Sequence, residues 1–366
     1  MKNLSYTFLL VILLITKGTA QQPVSVPFSS SLWDTENAEF IPATFQGVEG
    51  ILLTRGIFFL KDMKFLNGVI DVDINFSNRR NFPGIRFRMQ DIKNCESFYI
   101  RPHQSGNPDA NQYTPVFNGT AGWQLYHGKQ WGSPVTYTFD QWHHLRIVVS
   151  GSTADIYFDD MLKPALSVDL LREPESGSIG IATGIAPVYF ANFSYTLEHQ
   201  RIPPTPVKSR AEPTAITKWD VSEVISDSVL QEKYSLDKNF RKSMNWKTYE
   251  SEVTGLINLA RYAKRSPGNN TVVVKVDIGS DKQQFKKLNF GFSDRVRVYL
   301  NSKAIYEGED RFRSRDYRYL GTIGYFDTLI LPLRKGANEL LFVVGENMGG
   351  WGLQAKFDDL EGIRLN

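Results

Sequence analysis

The chain has 366 residues, with 42 basic and 39 acidic side chains, a formal net charge of +3 and a single cysteine, Cys95. Near-balanced charge excludes the broad basic footprint of a nucleic-acid-binding protein. One cysteine excludes an internal disulfide framework, so any fold must rest on buried core, and the length suits two ordinary domains.

The chain opens MKNLSYTFLLVILLITKGTA. Lys2 makes a short basic start, residues 8–15 an apolar run, and Gly18 and Ala20 the small residues that a signal peptidase requires. Residues 1–20 are therefore expected to be a signal peptide, cut near Ala20, and the mature chain to be secreted or periplasmic. The apolar run is too short to span a bilayer, and no transmembrane segment is expected in the mature chain. Losing Lys2 and Lys17 leaves 40 basic against 39 acidic residues. Residues 23–198 hold 13 basic and 18 acidic side chains and residues 213–366 hold 24 and 20, a mild asymmetry compatible with two domains docking on each other.

Residues 23–198 read as short alternating runs broken by turn residues, the pattern of half-buried antiparallel strands. In NGVIDVDINF, Ile70, Val72, Ile74 and Phe76 share one face, and Asp71, Asp73 and Asn75 the other. In GIRFRMQ, Ile85, Phe87 and Met89 oppose Arg86, Arg88 and Gln90. A hairpin of these two runs would set both arginines beside both aspartates, as a cross-strand charge ladder or as part of a site. Phe98 and Ile100 oppose Tyr99 and Arg101, and Pro102 then ends regular pairing. From Arg101 to Trp131 the turn formers are dense and several aromatics intervene, which reads as a long loop that either packs on the sheet or carries function. WHHLRIVVSG and ADIYFDD form a further strand pair. It sends His143 and His144 to opposite faces, so they cannot share a metal. Cys95 reads as a small core residue.

Residues 199–213, HQRIPPTPVKSRAEP, hold four prolines and no apolar period, and read as a linker. Residues 214–366 are again rich in strand patterns, with 226–265 open between helix and strand because Gly255 weighs against a helix. The expected fold class is thus all-β: two antiparallel β-sandwich (jelly-roll) domains joined by a Pro-rich linker.

GVIDVDINF, the WHHLRIVVSGSTADIYFDD hairpin and the closing GSIGIATGIAPVYFANFSY resemble a concanavalin A-like sandwich of the laminin-G and laminarinase kind. LNFGFSDRVRVYLNSKAIYEG, LPLRKGANELLFVV and ENMGGWGLQAKF resemble a galactose-binding-like sandwich. Together these resemblances imply a secreted bacterial protein of glycan metabolism. The stretch DVDINFSNRRNFPGIRFR is also similar to the 3-keto-disaccharide hydrolase family. Laminarinase-type enzymes carry acids in a Glu-x-Asp-x-x-Glu pattern; here it falls on Asp71 and Asp73, with Phe76 in the third position. The first sandwich resemblance also implies a calcium ion at a loop edge, for which Asp159 and Asp160 are the candidates, with a solvated turn as the alternative.

Arginines, carboxylates and flat rings on one face suit a polyhydroxylated ligand. The expected ligand-binding set is Arg86, Arg88, Tyr99, Arg101, His103, Asp109, Gln124 and Tyr126, with Trp351 of GGWG as either an edge platform or a core plug. The partner is an oligo- or polysaccharide, acidic if the arginines are not already neutralised. The first reading is carbohydrate binding without catalysis. The alternatives are a glycosidase or 3-keto-glycoside-cleaving enzyme working through Asp71, Asp73 or His103, and a structural or interaction module with no sugar ligand.

Overall fold

The computed structural model describes residues 22–197, 211–230, 234–236, 238–316 and 320–365. The expected leader, and the expected linker up to residue 210, lie outside the described residues. Strands dominate, and the five-residue Lys238–Lys242 is the one α-helix among the described residues. Within the open segment 226–265 the described residues hold a 3-10 turn, Asp227–Leu230, that short helix, a strand, Lys247–Glu250, and then a two-residue strand, Ile257–Asn258, followed by a 3-10 turn, Leu259–Arg261.

In the first half, fourteen strands make one antiparallel sheet that curls back on itself as a sandwich. Its path runs from Leu166–Asp169 through Thr153–Phe158, Trp142–Ser150, Gly68–Asn75, Val188–Leu197, Val48–Leu60, Ser178–Thr183, Gly84–Asp91, Asn94–Ile100 and Asn111–Phe117 to Thr120–Ala121. Inward residues from both ends, Leu145, Ile156 and Val168 with Phe98, Ile100 and Tyr113, share one apolar core. The strand alternation read from the sequence is thereby explained by one buried face.

Three expectations change. Strand Gly68–Asn75 pairs with Trp142–Ser150 and Val188–Leu197, not with Gly84–Asp91, whose partners are Ser178–Thr183 and Asn94–Ile100. Asp71 and Asp73 therefore never face Arg86 and Arg88. Within Gly84–Asp91 the register slips after Phe87, and Arg88 takes a left-handed backbone, φ 47°. A bulge of this kind re-aims a side chain. Arg88 turns inward, buried, and donates to Leu66 O at 2.8 Å and Gly151 O at 2.6 Å. Finally, the long loop contains a strand, Asn111–Phe117, in full register with Cys95–Ile100. It turns into Thr120–Ala121 through Asn118 and Gly119, both with positive φ, the requirement of a tight hairpin.

The second half holds a seven-stranded and a four-stranded antiparallel sheet around Trp219, Val274, Phe290, Phe342 and Trp351. Trp351 is fully buried and its indole N–H donates to Val344 O at 3.1 Å. It is a core plug, and the platform reading falls.

The halves meet over a hydrogen-bonded junction. Gln124 donates from its backbone to Gly349 O at 2.8 Å and from Nε2 to Leu320 O at 2.7 Å, and accepts from Ile323 N at 2.9 Å. Tyr126 donates to Glu252 Oε1 at 2.6 Å and accepts from Asn258 Nδ2 at 2.9 Å. Both side chains, expected from the sequence in the ligand-binding set, are buried at this junction. Leu256 and Ile323 of the second half sit in the first half's core, and Phe117 packs against the second.

Candidate functional site

The curled sheet sets four strands side by side, with small residues interspersed among Arg86, Tyr99 and Gln112 on one face. Register places Ala182, Gly84, Tyr99 and Gln112 in one row, and Gly180, Arg86, Ser97 and Thr114 in the next. Gly84 is required there, since a Cβ would stand 2.0 Å from Phe98 O. Gly84, Arg86, Ser97, Tyr99, Thr114 and Ala182 of these rows form the floor of a cleft of ≈ 410 Å³. One wall is Phe82, Arg80, His103 and Asp109; the other is Trp123 with Phe312, Arg313, Leu320 and Met348 of the second half. Phe312 and Trp123 meet edge to face with centroids 6.2 Å apart.

Arg101, mostly buried, is tied down by its neighbours. It donates to Asp109 O at 2.8 Å, to Tyr99 Oη at 2.9 Å and to Gln112 Oε1. Gln112 is held in turn by the carbonyls of Trp123 and Tyr126. Tyr99 Oη donates to Gln112 Oε1 at 2.7 Å, and burial pushes its pKa up to about 12, so it stays a neutral hydroxyl. This network makes the cleft wall rigid.

Arg86 is held far less. Among the described residues its one hydrogen-bond partner is Cys95 Sγ at 3.5 Å. A guanidinium has five N–H donors and a thiol is a weak acceptor, so most of its donors face the cleft unspent. Arg80 and Arg313 stand at the rim, each over a phenyl ring, at 5.5 Å from Phe82 and 4.9 Å from Phe312. Of the lining residues only Asp109 is acidic, and its Oδ2 lies 3.9 Å from Arg101 Nη1. The cleft is therefore cationic. Burial, then the charges of Arg80 and Arg101, hold the His103 imidazole below its ordinary pKa, so it is neutral near pH 7. Its Nδ1 is buried with no partner among the described residues.

Of the residues singled out from sequence, Arg86, Tyr99, Arg101, His103 and Asp109 line this cleft; Arg88, Gln124, Tyr126 and Trp351 do not. Asp71 and Asp73 sit on another strand, clasping His144: its Nε2 is 2.9 Å from Asp71 Oδ1 and its Nδ1 2.6 Å from Asp73 Oδ1. Arg146 donates to Asp71 at 2.7 Å and Asn192 to Asp73 at 2.7 Å. The cross-strand charge ladder exists, with His144 and Arg146 in place of Arg86 and Arg88. Both candidate carboxylates are engaged by these side chains, and neither lines the cleft. His143, on the opposite face, bonds Asp159 Oδ2 at 2.7 Å, while Asp160 Oδ1 accepts from Leu162 N at 2.9 Å. Among the described residues no three His, Cys, Asp or Glu groups gather as a metal site, and Asp159 and Asp160 are engaged by protein donors. His127, at the other end of the long loop, bonds Ile323 O at 2.8 Å.

The second-half wall, Phe312, Arg313, Leu320 and Met348, was missed from sequence. Its signal is the run DRFRSRDYRYL, dense in arginine and aromatic residues between two strands.

No family profile matches the sequence, and no curated protein matches it. Solved structures do resemble the chain. A carbohydrate-binding module from Bacillus subtilis is 17% identical, covers 44% of this chain and 93% of its own, and overlays with a TM-score of 0.36. A Bacillus subtilis protein with a galectin-like fold gives 9% identity, 47% and 94% coverage and a TM-score of 0.36. A Bacillus licheniformis β-glucanase gives 11% identity, 50% and 100% coverage and a TM-score of 0.34.

Proposed function

We propose that the cleft between the halves binds an anionic saccharide without cleaving it. The observation that carries this reading is Arg86: a guanidinium on a floor of small residues, its donors facing a cleft rimmed by aromatic rings. Planar N–H forks suit a carboxylate or sulfate. Trp123, Phe82 and Phe312 offer apolar faces for sugar C–H groups, and neutral His103 offers an acceptor for a hydroxyl. A volume of ≈ 410 Å³ suits a short oligosaccharide segment rather than a long chain.

Hydrolysis by paired carboxyl groups needs two of them across the bond. The cleft lining offers Asp109 alone, already leaning on Arg101, so binding is the better supported reading. The leader expected at residues 1–20 supports an exported protein that meets its glycan outside the cytoplasm.

An array of uronate-containing, sulfated and neutral oligosaccharides tests the proposal, with reducing-end assays on every hit. Binding confined to anionic glycans and abolished by Arg86→Ala is expected. Equal binding of neutral glycans, or release of new reducing ends, would overturn it.

A further inference from the structure

Two carboxyl groups buried in the second half hold the loop that forms the cleft's far wall. Asp294 is 1% exposed and Glu346 0%. Asp294 Oδ2 accepts the backbone N–H of Asn347 at 2.7 Å and of Met348 at 3.1 Å, and Glu346 Oε1 accepts that of Gly350 at 3.1 Å. The loop between them reaches both the first half and the cleft. Gly349 O receives the backbone N–H of Gln124 at 2.8 Å, and Met348, 54% exposed, lines the cleft. Gly349 has φ +110°, and a Cβ there would stand 2.0 Å from Gln124 Oε1. A side chain there would have to displace the buried Gln124.

The remaining oxygens, Asp294 Oδ1 and Glu346 Oε2, are both buried with no hydrogen-bond partner among the described residues. The Asp294 N–H donates to Gly345 O at 2.9 Å, which brings the two residues together. Orphaned buried oxygens call for a missing partner, and two carboxylates buried over the same short loop, one on the 347 and 348 amides and the other on the 350 amide, disfavour each other's charge away from water. A single proton answers both needs: an O–H on Glu346 donates to Asp294. We propose that one proton shared by Glu346 Oε2 and Asp294 Oδ1 latches loop 346–350 against the first half, and that its loss loosens the Met348 wall of the cleft. The latch concerns the same cleft and rests on the binding reading for its functional meaning.

The electrostatics agree. Burial, then the charge of Asp294, push Glu346 up to about 8 against the pull of the Gly350 N–H and Arg265. Burial likewise raises Asp294, opposed by the Asn347 and Met348 N–H groups and by Arg265 and Arg295. Among the other charged groups near the pair, Arg295 keeps one buried donor, Nε, with no hydrogen-bond partner among the described residues. Arg265 bonds Asn347 O, Arg295 bonds Asp227 at 2.8 Å, and Asp310, pushed up to about 6 chiefly by burial, lies 3.3 Å from Arg315. Lys93 and Lys264 border the groove on the Glu346 side. With Arg265 and Arg295 already at hand, a proton balances the pair better than a metal cation would. Glu346 holds its proton more tightly folded than at its ordinary value of 4.5, so the latch weakens as pH rises from about 4.5 and levels off above about 8.

Hydrogen exchange of the full chain, corrected for intrinsic rates, tests this directly. Protection of the Asn347, Met348 and Gly350 amides should fall by at least about tenfold from pH 6 to pH 9, one pH unit of linkage being a factor of ten. In Glu346→Gln, a fixed neutral donor, protection should not change with pH; Asp294→Asn is the substitute if that variant fails to fold. Unchanged wild-type protection across this range would sink the latch, as would protection that collapses on adding a chelator. If the amides respond but affinity for an anionic glycan found on the array does not, the latch stands and the cleft reading fails.

Discussion

Trp123 and Phe312 meet across the junction with ring planes at 77° and centroids 6.2 Å apart, so one wall of the cleft is built jointly by both halves of the chain. Edge-to-face pairs contribute about 0.5–1.5 kcal/mol beyond their buried area. Phe312→Ala should therefore weaken glycan binding several-fold while leaving the melting transition nearly in place. Calorimetric titration beside a thermal scan checks both. A normal affinity would remove the second half from the site.

Arg86 and Arg101 should behave oppositely, although the sequence makes them look alike. Arg101 spends its donors on Asp109, Tyr99 and Gln112 and is 7% exposed. Hydrogen bonds to charged groups are worth about 1.5–3 kcal/mol each. Arg101→Ala is thus expected to destabilise the protein by at least about 2 kcal/mol. Arg86→Ala should stay within about 1 kcal/mol of wild type and abolish binding. Urea unfolding of both variants separates the roles.

What was legible in the sequence follows from locality. Alternation marked Ile70, Val72 and Ile74 as inward and put Tyr99 opposite Phe98, because those preferences live on one strand. Which strands are neighbours is a long-range matter. The hairpin of 69–76 with 85–90 looked natural by proximity, yet Asp71 pairs with Arg146, 75 residues away. The bulge at Arg88 breaks the two-residue period that assigned its face, and the residues that complete the cleft, Phe312 to Met348, stand more than 220 positions from Arg86. No window along the chain contains them together.

Trp351 supplies a stability test. Its ring is fully buried in the second core, and truncating a large aromatic there costs about 3–5 kcal/mol. Trp351→Ala should lower the denaturant midpoint without changing glycan specificity in whatever fraction remains folded. A near-normal midpoint would return the ring to the surface.

Proteolysis within 201–212 should cut the chain without separating it. The sheets of the two halves are distinct, but Gln124, Tyr126, Leu256 and Ile323 are shared or buried at the junction. Pulling the halves apart would expose Leu256 and Ile323 to water and break the bonds of Gln124 to Leu320 and of Tyr126 to Glu252. The two fragments should therefore co-elute on size exclusion and part only in denaturant. Separate elution at neutral pH would show the junction to be weak.

His144 provides the last test, because its two carboxylate partners fix the sign of its titration. Hydrogen bonds to Asp71 and then Asp73 raise its pKa from 6.5 to about 9, outweighing partial burial. For Asp71, burial acts to raise the pKa, but hydrogen bonds from His144 and Arg146 win and hold it below its ordinary value. The folded protein binds the imidazole proton more tightly than the unfolded chain does. Its contribution is complete below about pH 6.5 and is lost as pH rises through about 9. The side chain is 35% exposed, so solvent screening keeps the energetic effect small and the direct observable is the ring itself. Its proton resonance should titrate with a midpoint near 9, and Asp73→Asn should bring that midpoint down toward the ordinary histidine range. A wild-type midpoint near 6.5 would mean that the ladder of Asp71, His144 and Asp73 does not form in solution.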